Sequence, residues 1–199
     1  MKERLTSRDL QARETRERLM RTAMDLIAGE GYRTVTVSRI CRECGVSVGT
    51  FYQYFTSKKD IIALLTREHN EYLSHACEAD FSLSAGEIYL RYVDKYMHRI
   101  ADSGLSLSKS LMLGLLESEV SDDEAGLQLQ RDFFARLIAY GKETGEFPQQ
   151  VEWEDFFEQF LITINGILTN WLVSQGAIDV IRYGKHHAGQ LLRLLKNKD

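Results

Sequence analysis

A single proline, Pro148, interrupts the 199 residues, and nowhere do apolar and polar residues alternate over a strand's length. Both absences point to helices, since proline breaks them and period-two patterning marks strands. No apolar run reaches 18 residues, so no membrane-spanning helix is expected. The first residues, MKERLTSRDLQARETRER, are charged throughout and hold no signal-peptide pattern, which makes the cytoplasm the expected compartment. Cysteines number only three, an odd count that fits a reducing compartment and argues against a disulfide framework. A phosphate-binding glycine loop, a nucleophile elbow and distinctively spaced carboxylate pairs are all missing, so no catalytic residue is assigned. Cys41 and Cys44 form a CxxC, yet zinc needs further ligands and the first 60 residues hold no second cysteine pair and no histidine. The five histidines show no metal-ligand spacing either. Neither a metal nor a cofactor is expected.

What is present is ordinary for a globular helical chain: 44% hydrophobic and 27% charged residues. The net charge of −4 is unevenly spread. Residues 1–60 carry 12 Lys and Arg against 8 Asp and Glu, and residues 61–199 carry 13 against 21. Basic charge is thus concentrated at the front, where phosphates could be met, ahead of an acidic body. This length suits one large domain or a small one fused to a larger one.

The densest local signals lie between Thr36 and Asp60, in TVSRICRECGVSVGTFYQYFTSKKD. Thr36 can cap a helix from Val37 to Cys44, Gly45 tolerates the positive φ where that helix stops, and Ser47 can cap the next. That is helix-turn-helix punctuation. Val37, Ile40, Cys41 and Cys44 share one face, and Phe51 and Phe55 are four apart, so the two helices share a small core. Val48, Gly49, Thr50, Gln53 and Tyr54 remain outward, with Tyr52 nearby and no acid among them. An acid-free polar face suits the DNA major groove.

The run GYRTVTVSRICRECGVSVGTFYQYFTSKKDI resembles the DNA-binding signature of the tetracycline-repressor (TetR) family of bacterial transcription regulators. It covers about a sixth of the chain, and its helix lengths, Gly-Val-Ser turn, Phe-Tyr-x-Tyr-Phe helix and following Ser-Lys occur together at family spacing. Cys41 and Cys44 depart from the family's small residues there, at inward positions where packing rather than chemistry changes. The resemblance implies an all-α fold: a helix-turn-helix domain over residues 1–60, and a helical ligand-binding and dimerisation domain over 61–199. Matched residue by residue, it places Ser38, Val48, Gly49, Thr50, Tyr52 and Gln53 near bases, and Thr36, Ser47, Tyr54 and Lys58 on phosphates.

Elsewhere the periodicity predicts a first helix over Ala12–Glu30, preceded by a segment that reads either as a minor-groove arm or as a frayed terminus. Ser57 and Asp60 make a capping-box-like pair at the start of a helix running to about Ala79. Lys58 and Lys59 in its first turn oppose the helix dipole, which makes sense if a phosphate lies within reach. Helices over 85–102, 105–119 and 121–144 follow. Tyr89, Tyr92 and Tyr96 share a face, read either as amphipathic core or as the wall of an aromatic pocket. The resemblance implies a pocket, and the side chains best placed to line it are Tyr92, Tyr96, Met112, Phe133, Leu137, Phe160, Thr163 and Ile164. Mostly apolar, this set predicts a hydrophobic or aromatic effector, because it offers no partner for a buried charge.

The helix carrying Trp153 to Leu172 is apolar on both sides in its second half, which calls for burial on both. With the final helix it resembles the family's four-helix dimer interface. The expected partner-facing residues are Ile162, Gly166, Thr169, Val173, Ile181, Gly184, Ala188, Leu191, Leu192 and Leu195. The combined reading is a homodimeric regulator of transcription: a repressor on a near-palindromic operator in double-stranded DNA, released by a small effector. A helical co-regulator, whose C-terminal domain binds a protein partner without a small-molecule inducer, is the competing reading.

Overall fold

Thr6 opens the first helix by accepting the Asp9 amide at 3.2 Å, while the Asp9 carboxylate reaches back to the Thr6 amide at 2.9 Å. This capping box starts α1 at Ser7, five residues before the predicted Ala12, and the helix runs to Glu30. The computed structural model describes residues 6–76, 82–116 and 124–196. Within them lie α1 (Ser7–Glu30), α2 (Val37–Cys44), α3 (Val48–Tyr52), α4 (Lys58–Ala76), α5 (Ala85–Leu116), α6 (Glu124–Glu143), α7 (Trp153–Val173) and α8 (Val180–Lys196). No strand occurs among the described residues. The candidate arm before Thr6 and the predicted end of α4 near Ala79 lie outside them.

The chain divides into two compact units, and the division is not a single cut at residue 60. Residues 1–65 group with 106–121, and residues 66–105 group with 122–199. Ile61 and Ile62, beyond that expected boundary, belong to the core of the first unit. There Leu19, Ala23 and Ile27 of α1 meet Ile40, Cys41, Phe51 and Phe55. Fully burying a side chain of the Leu, Ile or Phe kind stabilises by about 1.5–3 kcal/mol, so this small core outweighs any single cap.

The 106–121 segment joins this unit because α5 breaks at Gly104, whose φ of 74° and ψ of 166° only glycine adopts without strain. Past the break, Ser106 Oγ donates to the Ala28 carbonyl. Ser110 Oγ donates to the Ile27 carbonyl at 3.3 Å and accepts the Tyr32 amide at 3.3 Å. Leu107 and Leu111 pack on the same core, and a Cβ on Gly114 would stand 3.1 Å from Ile62.

The second unit is built around aromatic rings. Tyr89, Tyr92, Val93, Met97 and Ile100 of α5 meet Phe133, Phe134 and Ile138 of α6, and Phe156, Phe157, Phe160, Ile164 and Trp171 of α7. α8 is set against them by Gly184: a Cβ there would lie 2.3 Å from Met97 Cγ, so only glycine lets the helices approach this closely. Lys185 Nζ, 2.6 Å from Asp94 Oδ1, ties the same two helices.

Candidate functional site

The helix-turn-helix forms through the local chemistry read from its residues. Thr36 accepts the Arg39 amide at 3.1 Å, Gly45 takes the left-handed conformation at φ 67°, and Ser47 accepts the Thr50 amide at 3.0 Å. α2 presents Ile40 and Cys41 inward, and burial pushes the Cys41 thiol pKa up, away from the reactive thiolate. α3 buries Phe51, whose ring centre is 5.2 Å from that of Phe55.

Ser38, Ser47, Val48, Gly49, Tyr52 and Gln53 are exposed together with the capping Thr36, while Thr50 and Tyr54 are half-buried. The Thr50 hydroxyl lies 2.9 Å from Ser47 Oγ, so both hydroxyls are engaged in the cap. Arg39, which sequence reasoning passed over, is held by Glu30 at 3.1 Å and by Glu43, an arrangement that braces α2. Arg16 of α1 lies over the Phe55 ring at 5.7 Å, and Arg13 pairs with Glu17 at 2.8 Å. These arginines support the unit's own packing and solvated face.

Lys58, expected at a phosphate, is held within the unit. Its ammonium donates to the carbonyls of Tyr32 and of Val35, the latter at 2.7 Å, and sits 4.0 Å from the centre of the Tyr32 ring. It therefore ties the start of α4 to the loop between α1 and α2, which offers two carbonyls that would otherwise need water. Asp60 completes this corner. Burial pushes its carboxyl pKa up, but hydrogen bonds from Thr56 and Ser57 outweigh that and hold it below the ordinary value of 3.8.

In the second unit, most of the expected effector residues come together. Tyr92 stacks on Phe133 at 4.4 Å between ring centres, and its ring lies 6.2 Å from that of Tyr96 and 5.8 Å from that of Phe160. Leu137 and Ile164 are buried in the same cluster, with Thr163 half-buried beside Ile164. Gln130, almost fully buried, donates to the Tyr92 hydroxyl at 3.1 Å, a polar contact that sequence reading missed. Burial pushes the Tyr96 phenol up to about 12, so it stays protonated at neutral pH. Met112 belongs to the segment grouped with the first unit and is not part of this cluster.

The expected partner-facing residues separate into two sets. On α7, Ile162 is 58% exposed and Val173 75% exposed, with Gly166 and Thr169 on the same open side. On α8, however, Gly184, Ala188, Leu192 and Leu195 are buried in the chain's own core, and Ile181 and Leu191 are half-buried against it. The stripe that they form faces Met97 and its neighbours, which excludes those four from a partner surface. Leu194, 66% exposed, lies on the open side of α8 instead. Beside it a groove of about 500 Å³ is lined by Val151, Glu152, Asp155, Phe156, Glu158, Gln159, Leu191, Leu194 and Leu195.

Residues 19–65 match the family model described as bacterial regulatory proteins, tetR family. The fatty acid metabolism regulator protein of Bacillus subtilis is 25% identical over 181 residues, 88% of this chain and 93% of that protein. Among solved structures, the Bacillus subtilis regulator FadR in complex with stearoyl-CoA superposes with a TM-score of 0.75 at 22% identity, covering 92% of this chain and 98% of that one. The Thermus thermophilus repressor FadR in complex with lauroyl-CoA gives 0.72 at 20% identity, covering 90% and 92%.

Proposed function

Because this chain belongs to the TetR family of bacterial regulatory proteins and is a DNA-binding transcriptional regulator, we propose that it is a homodimeric repressor released from its operator by a long-chain acyl-CoA. The observation that carries the effector class is the extent of the likeness to the fatty acid metabolism regulator. It runs over 88% of the chain, well beyond the reading unit. The aromatic cluster of Tyr92, Tyr96, Phe133 and Phe160 supports the acyl part alone, since rings meeting edge to face and stacked offer an acyl chain apolar contact with few polar demands; the charged CoA part departs from the effector expected from the sequence and finds no charged partner in this cluster. Its role is binding, with no catalytic step, in the cytoplasm.

DNA is met by the exposed face of α3 with Ser38 and Gln53, and Thr36, Ser47 and Tyr54 stand at the phosphates. Gln53 is the residue suited to pair with adenine N6 and N7, at about 1–3 kcal/mol of discrimination. The dimer uses the open side of α7, through Ile162, Gly166, Thr169 and Val173, together with Leu194 of α8. Two copies related by a two-fold axis then read a near-palindrome with half-sites about 34–36 Å apart, or a multiple of that. α4 and α5 both pass from one unit to the other, which gives the effector two covalent routes to the reading heads. An effector that prefers the wrong spacing by about 3 kcal/mol weakens operator binding on the order of a hundredfold, and DNA must weaken effector binding equally.

The test is calorimetry with stearoyl-CoA and lauroyl-CoA, with and without a DNA site selected by the protein, and with free CoA as control. Acyl-CoA affinity lowered by DNA is the expected result. Equal affinity in both titrations removes acyl-CoA as the effector, and sedimentation as a monomer at micromolar concentration removes the dimer.

A further inference from the structure

α3 carries no charged side chain, and what it exposes is largely apolar. Val48 is 41% exposed and Tyr52 56%, and residues four apart lie on the same side of a helix. The one hydroxyl between them, that of Thr50, is engaged in the cap, 2.9 Å from Ser47 Oγ. Gly49 adds no side chain next to the valine, and a Cβ built there would meet only Ser47 Oγ, at 3.6 Å. The Val48 methyls thus project from an uncluttered surface. Of the groups that bases display in the major groove, the C5 methyl of thymine is the apolar one that projects.

We propose that Val48 and Tyr52 are specificity-determining residues that read thymine through its 5-methyl group, so that each operator half-site holds a thymine opposite this pair. The inference rests on the reading of α3 as the helix that enters the groove. Burying one methyl against another apolar group is worth about fourfold in affinity, and about fifteenfold when both half-sites of a dimer lose it.

The experiment starts with duplexes selected by the full chain from random DNA. Each thymine is then replaced in turn by 2′-deoxyuridine, which removes the methyl and keeps every hydrogen-bonding group. At one or two positions per half-site the affinity falls about fourfold. At those positions Val48→Ala or Tyr52→Ala no longer distinguishes thymine from uracil, while circular dichroism stays that of the wild type. Uracil tolerated at every position, or discrimination that survives both substitutions, overturns the inference and leaves DNA binding intact. Failure to enrich any sequence overturns the groove-entering reading together with it.

Discussion

Replacing Ser110 with alanine tests the joint between the 106–116 helix and the end of α1. Ser110 is 4% exposed, and its hydroxyl both donates to Ile27 and accepts from the Tyr32 amide. The Ile27 carbonyl also accepts the Gly31 amide at 3.0 Å, so it keeps a partner in the variant. The Tyr32 amide loses a buried acceptor. Losing one hydrogen bond and leaving a buried donor short of its acceptor costs about 1–3 kcal/mol, and deleting a single oxygen adds almost nothing for packing. At about 2–4 °C per kcal/mol for a chain of this size, the first unit should melt some 2–12 °C lower. Both tryptophans, Trp153 and Trp171, belong to the second unit, so their fluorescence follows the wrong transition. Urea unfolding followed by far-ultraviolet circular dichroism, with amide exchange read at Tyr32, reports on the first. Stability within about 0.5 kcal/mol of the wild type, together with unchanged exchange at Tyr32, would refute the claim that this hydroxyl holds the joint.

Lys58→Met should destabilise the first unit by about 1–3 kcal/mol through the two abandoned carbonyls and leave the salt dependence of DNA binding unchanged. A salt slope flattened by about one unit with no loss of stability would return Lys58 to the phosphates. Gly184→Glu should abolish the cooperative unfolding of the second unit seen by tryptophan fluorescence, since it drives a charge into Met97 at a cost of about 3 kcal/mol or more; a folded, monomeric variant would instead restore Gly184 to the partner surface. The depressed pKa of Asp60 means that its carboxylate stabilises the start of α4 fully above the unfolded value, and that this contribution is lost as the pH falls through the folded value. Asp60→Asn should therefore cost about 1 kcal/mol at pH 7 and show a smaller loss below pH 3.8, as followed by acid titration of unfolding midpoints.

The reading unit was legible because its signals are local. Thr36, Gly45 and Ser47 act on amides and dihedrals within three residues of themselves, and no distant contact is needed to interpret them. The start of α1 was equally local, in the Thr6–Asp9 box, but the mixed charges around it obscured the signal. Lys58 could not be read in the same way, because its acceptors lie 23 and 26 residues earlier in the chain. The last helix shows a third limit. Periodicity established that Gly184, Ala188, Leu192 and Leu195 share a face, but a shared apolar face does not say whether its own chain or another covers it. The contact of Gly184 with Met97 decides that, and only the fold supplies it.

The break at Gly104 has a consequence for synthesis and for engineering. The reading head draws on two stretches separated by about forty residues of the other unit, so it cannot be completed when residue 65 leaves the ribosome. Tyr32 and Ile62 wait for Ser110 and Gly114 to be made. A fragment ending at residue 60 or 65 carries every side chain proposed above to read bases and still lacks one wall of its core. Grafting this head onto another regulator therefore takes three junctions: after residue 65, before residue 106 and after residue 121.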